Sequence, residues 1–309
     1  MPTEHEPWSS DSPRFASVAG TRFTDVEWHG EVSSTNAELL DRARLGASEG
    51  AVLIADVQTA GRGRRGRRWT APSGTALMMS VLLRPPPDRL PPARAALVTL
   101  ALALAAVDAC EQSSGLRPRL KWPNDLVVVA DAARAGAPSR GATRPDLKLA
   151  GILAESVAAN GLLSALVVGM GLNTGWARVP AELEGAATSL NLASGAPVDR
   201  TTLARHVLEG LETRYRRLCS AGDAAGPEAV LDEARQNSAT LGRRVRVTLG
   251  APAGGPRAEM GSDTEVLSLE GVASDLDGHG RLLVHDDDGV IHAVAVGDVM
   301  HLRPAARER

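Results

Sequence analysis

Cysteine is nearly absent: the 309-residue chain has two, Cys110 and Cys219. Both lie in apolar helical patterns far apart in sequence, which excludes a disulfide scaffold and a cysteine-built zinc site, so they read as reduced core thiols. An excess of charge of one sign is also lacking. With a formal net charge of −3, total charge points to neither nucleic acid nor an anionic membrane, and such a partner has to be met by a local patch. The longest uncharged stretch, Ala95 to Val107, falls short of the roughly 20 apolar residues of a membrane span, and reads as the buried helix of a cytoplasmic protein. Met1 to Gly20, rich in Ser, Pro, Glu and Asp, has no apolar segment behind basic residues, so no signal peptide is expected. What the chain does have is core-forming material, 43% hydrophobic and 23% charged residues, sufficient for one large core and a smaller one.

The pattern predicts a disordered segment over residues 1–22, a first domain over 23–238 and a second over 239–309. A strand is expected around Phe23–His29. Thr35–Glu38 spells a capping box, with Thr35 accepting from the backbone and Glu38 reaching back; Leu39, Leu40 and Leu45 continue the helix until Gly46. That places Ser33, Ser34 and Thr35 at a helix N-terminus. Strands follow at Ala51–Val57 and Ala76–Leu83, a short polar strand ends at Lys121, and another strand spans Leu126–Val129. Leu149–Val157 and Leu162–Val168 flank Asn160-Gly161, a favoured type I′ hairpin turn. Helices are expected at Arg94–Cys110, Thr201–Cys219 and Pro227–Asn237. Beyond Leu241 come short β runs, Val245–Leu249, Glu265–Ala273, Arg281–His285 and Ile291–Val296, which suggest a small β-barrel. The class is α+β, a mixed sheet with packed helices followed by that barrel. Ala130–Pro145 and Gly250–Gly261 look like solvent-exposed insertions without function.

The sharpest motif, Gly61-Arg62-Gly63-Arg64-Arg65-Gly66-Arg67-Arg68-Trp69, follows a predicted strand. Its three glycines permit tight turns and close backbone approach to a ligand, and its five arginines supply forked cationic donors. Together they suit a polyphosphate. The plainer alternatives are a solvated basic loop or an Arg-Gly nucleic-acid contact, although such tracts are usually longer than this connection between two apolar strands. Lys121-Trp122-Pro123-Asn124-Asp125 bends the chain between two strands and clusters a lysine, an amide and a carboxylate; an isolated Pro-Asn-Asp is more often a structural turn. Lys148 stands at the mouth of the apolar run Leu149–Leu153, where a lone lysine commonly snorkels. In Gly169-Met170-Gly171-Leu172-Asn173 a core strand is expected to run into a glycine-paced turn, with a bulge as the alternative.

The order of these motifs decides between the readings. Ser34-Thr35-Asn36, the Gly61–Trp69 loop, Lys121–Asp125, Lys148–Gly151 and Gly169–Asn173 together resemble the motif series of bacterial biotin–protein ligases, from about Phe23 to Leu302. The resemblance implies a class II synthetase-like catalytic domain shared with lipoate ligases, followed by an SH3-like domain. It implies that Ser34, Thr35 and Gln58 hold biotin's ureido ring, with Asn36 also in the biotin site and Arg62, Gly63 and Arg64 closing over it. Lys148 would meet the carboxylate and Gly151 would leave room beside it. Arg62, Arg64, Arg65, Arg67, Trp69, Lys121, Asn124 and Asn173 would take ATP or the adenylate, with Trp69 and Asn173 bordering the adenine. Lys148, Asp125 and Arg64 would carry catalysis. Asp125 would bind Mg²⁺, position a donor or assist the acceptor amine. The substrates implied are ATP and biotin, with Mg²⁺, and the partner is a biotin carboxyl carrier protein. Neither DNA nor a membrane is expected as a partner, and oligomeric state, including a homodimer, is left open. Some members carry an N-terminal helix-turn-helix repressor domain; the segment before Phe23 is too short for one, so the single-function kind is expected.

The implied chemistry requires these residue types. A carboxylate attacking the α-phosphate of ATP brings anions together, which calls for cations aimed at developing charge. The product is a mixed anhydride that water destroys, so a loop that orders over it is needed. The acceptor lysine, with an ordinary pKa near 10.4, must then attack as a neutral amine. Three alternatives remain at this point: a lipoate–protein ligase, an arginine-loop nucleic-acid-binding module, and a biotin sensor that binds without transferring.

Overall fold

Strands that send alternate side chains to opposite faces build the main layer of this protein, seen in a computed structural model that describes residues 14–129, 145–159, 162–220, 225–248, 268–295 and 297–302. Seven strands, β1 (Asp25–Val32), β2 (Ala51–Gln58), β3 (Ala76–Leu83), β4 (Arg119–Lys121), β5 (Asp125–Val128), β6 (Leu147–Ala159) and β7 (Leu162–Asn173), form one sheet in the order β1-β2-β3-β7-β6-β5-β4. β1 and β2 pair in parallel through the crossover helix α1 (Thr35–Arg44), and the other pairs are antiparallel. On one face Val52, Ile54, Leu77, Met79 and Val81 join the cluster that includes α2 (Ala96–Ser114) and α4 (Arg200–Cys219). On the other face Leu53, Ala55, Leu82 and Val167 pack on Leu39 and Leu40 of α1. Two covered faces explain why β3 is apolar at nearly every position, Ser80 being the exception.

Helix α2 has no polar stripe because it lies between the sheet and α4. It is long and apolar enough to pass for a membrane span by composition, yet most of it is buried inside the protein. Gly115, at φ 72, stops it in the left-handed conformation that glycine adopts without a Cβ clash. A short α3 (Leu190–Ser194) and α5 (Gly226–Gln236) complete the helices. The C-terminal strands β8 (Arg244–Thr248), β9 (Ser268–Leu276), β10 (Leu282–His285), β11 (Ile291–Val294) and β12 (Asp298–His301) form an antiparallel sheet in the order β11-β10-β9-β8-β12. Its inward side chains, including Val245, Val247, Leu282 and Val284, are continuous with the helix-side core. Trp122 fastens the two sheets: its backbone N–H donates to Thr240 Oγ1 at 3.1 Å and its indole N–H to the Gly280 carbonyl at 3.1 Å.

Several expectations need correction. The segment 1–22 was expected to be disordered, but residues 14–22 run along the core: Val18 is buried, Phe15 stacks edge-on against Trp28, and Val26 N–H bonds to the Ala16 carbonyl. The cap of α1 is Ser34, not Thr35. Ser34 is extended, at φ −162, and its hydroxyl accepts from Ala37 N–H, which leaves Thr35 as the first helical residue. Gly169–Asn173 is no turn; it is the C-terminal half of β7. Strand β12 and helix α3 were not foreseen. Cys110 is fully buried and its thiol is pushed up by burial, whereas Cys219 is only partly buried; both are free. The insertion over 130–144, the one over 250–261 and the Asn160-Gly161 turn lie outside the described residues.

Candidate active site

The N-terminus of α1, the end of β2, the start of β6 and the middle of β7 meet at one cleft of about 330 Å³. The local sequence explains its floor. Gln58, last in β2, accepts from Thr35 N–H at 2.8 Å through its side-chain oxygen Oε1. Ser80, buried in β3, lies 2.6 Å from Asn36 Oδ1 and 2.7 Å from Thr35 Oγ1. An amide oxygen can only accept, so Ser80 donates to Asn36 and accepts from Thr35. Asn36 in turn donates to the Leu153 carbonyl at 3.2 Å and to Glu155 Oε2 at 2.9 Å. Gly169 permits this: a Cβ there would stand 2.0 Å from Asn36 Oδ1.

The arginine loop is a folded ribbon over the cleft. Gly63 N–H bonds to the Arg67 carbonyl at 2.7 Å, and Trp69 N–H to the Gly61 carbonyl at 3.0 Å. Between them, a 3₁₀ turn over Arg64–Gly66 carries Arg65 at φ 56 and Gly66 at φ 72. Arg62 pairs with Glu155 at 3.2 Å, and Arg68 donates to the Thr59 carbonyl at 2.7 Å. Arg64 donates to Asn124 Oδ1 at 2.9 Å and to the Gly297 carbonyl at 3.3 Å. Burial is the main influence on the Arg64 guanidinium and lowers its pKa. A guanidinium keeps its proton, so this cost of desolvation makes it a cation in want of an anion.

Across the cleft, Lys148 Nζ lies 2.7 Å from Asp125 Oδ1 and 6.0 Å from the centre of the Trp69 ring. The Lys148 backbone is fixed independently: its N–H bonds to the Ala186 carbonyl at 2.9 Å and its carbonyl accepts from Thr188 at 2.9 Å. Trp69 fits because one strand position is glycine: a Cβ on Gly171 would stand 2.3 Å from Trp69 Cε2. A Cβ on Gly151 would instead press on the Lys148 side chain, 3.2 Å from Nζ and 3.3 Å from Cε. The indole Nε1 of Trp69 is buried without a partner among the described residues.

Ser34, Thr35, Asn36, Gln58, Arg62, Gly63, Arg64, Arg67, Trp69, Lys121, Asn124, Asp125, Lys148 and Gly151 all line this cleft. Arg65 and Asn173 do not. Arg65 turns its guanidinium to Asp298 and to the Thr248 carbonyl, each at 3.0 Å. Asn173 is buried, donating to the Thr188 carbonyl at 3.1 Å, so its amide is taken up within the fold. Asn36 lines the cleft, but its amide is likewise spent on holding the floor. Ser80 and Glu155 were missed, although each is a polar interruption of an apolar strand. Thr248, Asp298, Val299 and Met300 also border the cleft, and their distance in sequence gave no sign of it. The residues present do not make a protein-built Mg²⁺ site: Asp125 offers one carboxylate already paired with Lys148, and among the described residues no group of three His, Cys, Asp or Glu could hold a metal ion.

Residues 30–173 match the model of the biotin/lipoate A/B protein ligase family, and residues 259–302 match the biotin protein ligase C terminal domain. A biotin–[acetyl-CoA-carboxylase] ligase of Mycobacterium tuberculosis is 37% identical over 290 residues, 92% of each chain. The bifunctional ligase/repressor BirA of Bacillus subtilis is 33% identical over 63% of this chain and 55% of its own. Among solved structures, the biotin protein ligase of Aquifex aeolicus in complex with biotin and ATP superposes with a TM-score of 0.68 at 25% identity, covering 91% of this chain and all of that one. The chain therefore belongs to the biotin protein ligase family, with the ligase fold in its mixed sheet and the family's C-terminal domain in its second sheet.

Proposed function

We propose that the cleft joins biotin and ATP to biotinyl-adenylate, releasing pyrophosphate, and then transfers biotin to a lysine of a biotin carboxyl carrier protein. One observation carries this reading: Lys148, Asp125, Arg64 and Trp69 line a single cleft, with Lys148 between Asp125 and the Trp69 ring, so a carboxylate and a phosphate bound there share the same cations. The α1 end of the cleft, with Thr35 and Gln58, suits a neutral polar ring, because its groups are hydrogen-bonding and uncharged. The basic end, with Arg67 and Lys121, suits phosphates. Asp125 holds the Lys148 ammonium toward the reacting carboxylate, and in the second step its own carboxylate can orient the acceptor amine and draw off a proton. Mg²⁺ would enter with the ATP phosphates, whose charge it neutralises. The nucleic-acid alternative fares less well: Arg62 pairs with Glu155, and Arg65 and Arg67 with Asp298, so three of the loop's five arginines are partly neutralised by carboxylates of the same protein.

The test is pyrophosphate release from ATP on adding biotin, with lipoate as the control acid, followed by labelling of a carrier domain. Release with lipoate alone would assign the lipoate branch, and no release with either acid would reject the proposal. The glycine at position 171 offers a second check. Gly171→Ala drives a methyl group into the indole, and overpacking of this kind costs about 1–3 kcal/mol, so the KM for ATP should rise roughly 5- to 100-fold. Gly30→Ala, where a Cβ meets nothing within 4 Å, is the control and should leave it unchanged. Equal KM values for the two variants would mean that Trp69 is not part of the nucleotide pocket.

A further inference from the structure

We infer that Asp298, in the C-terminal sheet, is a positioning residue that latches the arginine loop over the cleft. Both Arg65, at 3.0 Å, and Arg67 pair with the same oxygen of Asp298. Arg64 reaches the neighbouring Gly297 carbonyl at 3.3 Å, and Arg65 the Thr248 carbonyl at 3.0 Å. Three arginines of one tight turn thus end on two strands remote in sequence. Within the turn they repel one another, and Arg65 holds a left-handed conformation at φ 56 that non-glycine residues rarely keep without outside contacts. A carboxylate at the focus of the turn supplies both the neutralising charge and the restraint.

The latch has a firm base. Strand β12 begins at Asp298 and ends at His301, whose Nδ1 lies 3.0 Å from Asp146 Oδ2; Arg243 joins the same oxygen at 2.7 Å. Asp146 immediately precedes β6, which carries Lys148. One four-residue strand therefore spans from the base of the catalytic lysine to the tip of the loop that covers it. Both ends of the loop's motion are referred to the same frame. This role rests on reading the cleft as an adenylate site, since retention of a labile intermediate is what gives a latch its use.

The latch can be measured without turnover. Gly63 and Trp69 donate the ribbon's cross-strand hydrogen bonds, so their amide hydrogen exchange reports loop opening directly. In the unliganded protein, Asp298→Ala should speed exchange of both amides roughly 3- to 30-fold, the range for losing two partly exposed ion pairs. Asp298→Glu should restore most of the protection. In the parent the same exchange should quicken with added salt, and in Asp298→Ala it should not. Asp41→Ala, which removes an exposed carboxylate from α1, should leave it unchanged. Amides of Val245 and Val247 report whether the C-terminal sheet stays folded; where Asp298→Ala loosens it, Asp298→Asn takes its place. Exchange at Gly63 and Trp69 that matches the parent in a folded variant overturns the latch. Pyrophosphate release by the parent protein is scored separately, so a latch that opens on a protein without that activity would refute the function and leave the latch standing.

Discussion

Lys148→Met is expected to lower biotin-dependent pyrophosphate release roughly 100- to 1000-fold, the usual loss when one preorganised donor to developing charge is removed. The ammonium stands 2.7 Å from Asp125 and faces the Trp69 ring, in a cleft that Arg64 also lines. Methionine keeps most of the apolar stem against Gly151 and deletes the charge. The fold should survive, because Lys148 is tied into the sheet through its backbone bonds to Ala186 and Thr188. A partly exposed ion pair is worth about 0–1 kcal/mol, so the melting temperature should move little. The decisive measurement is pyrophosphate release beside a thermal unfolding curve. Activity within about twofold of the parent, in a folded protein, would return Lys148 to the role of a snorkelling surface lysine.

Arg64→Gly is expected to leave adenylate synthesis in place and to raise escape of the adenylate by about one to two orders of magnitude. Arg64 ties the loop to Asn124 on one side and to the Gly297 carbonyl on the other. A charge-assisted hydrogen bond contributes roughly 1.5–3 kcal/mol, which gives that range if it is lost mainly from the closed state. Glycine adds to the effect, since a loop with one more glycine loses more backbone entropy when it orders. Burial already disfavours the Arg64 charge, so a bound phosphate should strengthen its hold on the closed loop. Free adenylate acylates lysines by collision. The variant, given biotin, ATP and a bystander protein without carrier sequence, should therefore label the bystander more than the parent does. Equal labelling with synthesis intact would remove Arg64 from the closure.

Much of this molecule was legible in its sequence, for physical reasons that differ by segment. Ala76–Leu83 was bounded correctly because a central strand buried on both faces is apolar at nearly every position and ends where burial ends. Thr201–Cys219 was nearly right because its apolar positions recur at helical spacing. The motif residues at the cleft were legible through their order along the chain, because each alone has a plainer structural reading: a solvated basic loop, a turn at Pro123–Asp125, a snorkelling lysine at Lys148. The errors have their own causes. Ser34 and Thr35 are both competent caps, and the choice fell to Ser34 because Thr35 is turned inward to Ser80 and Gln58. Gly169 and Gly171 looked like turn formers, yet neither has a positive φ. They are glycines because Asn36 and Trp69 press on the strand at those points. Asn173, expected near an adenine, is buried and donates its amide to the Thr188 carbonyl.

Local sequence by itself determined the class of the fold, most of its strands and helices, and the residue types that carry the chemistry, because periodicity, turn preferences and side-chain charge act over a few residues. Only the tertiary structure decided which of the charged groups face one another. It brought Glu155 under Arg62, set Asp298 against Arg65 and Arg67 across more than two hundred positions, and drew Arg65 and Asn173 away from the cleft. Pairings over such separations leave no periodic trace, since the two partners are selected by proximity in the folded chain and not by any spacing along it.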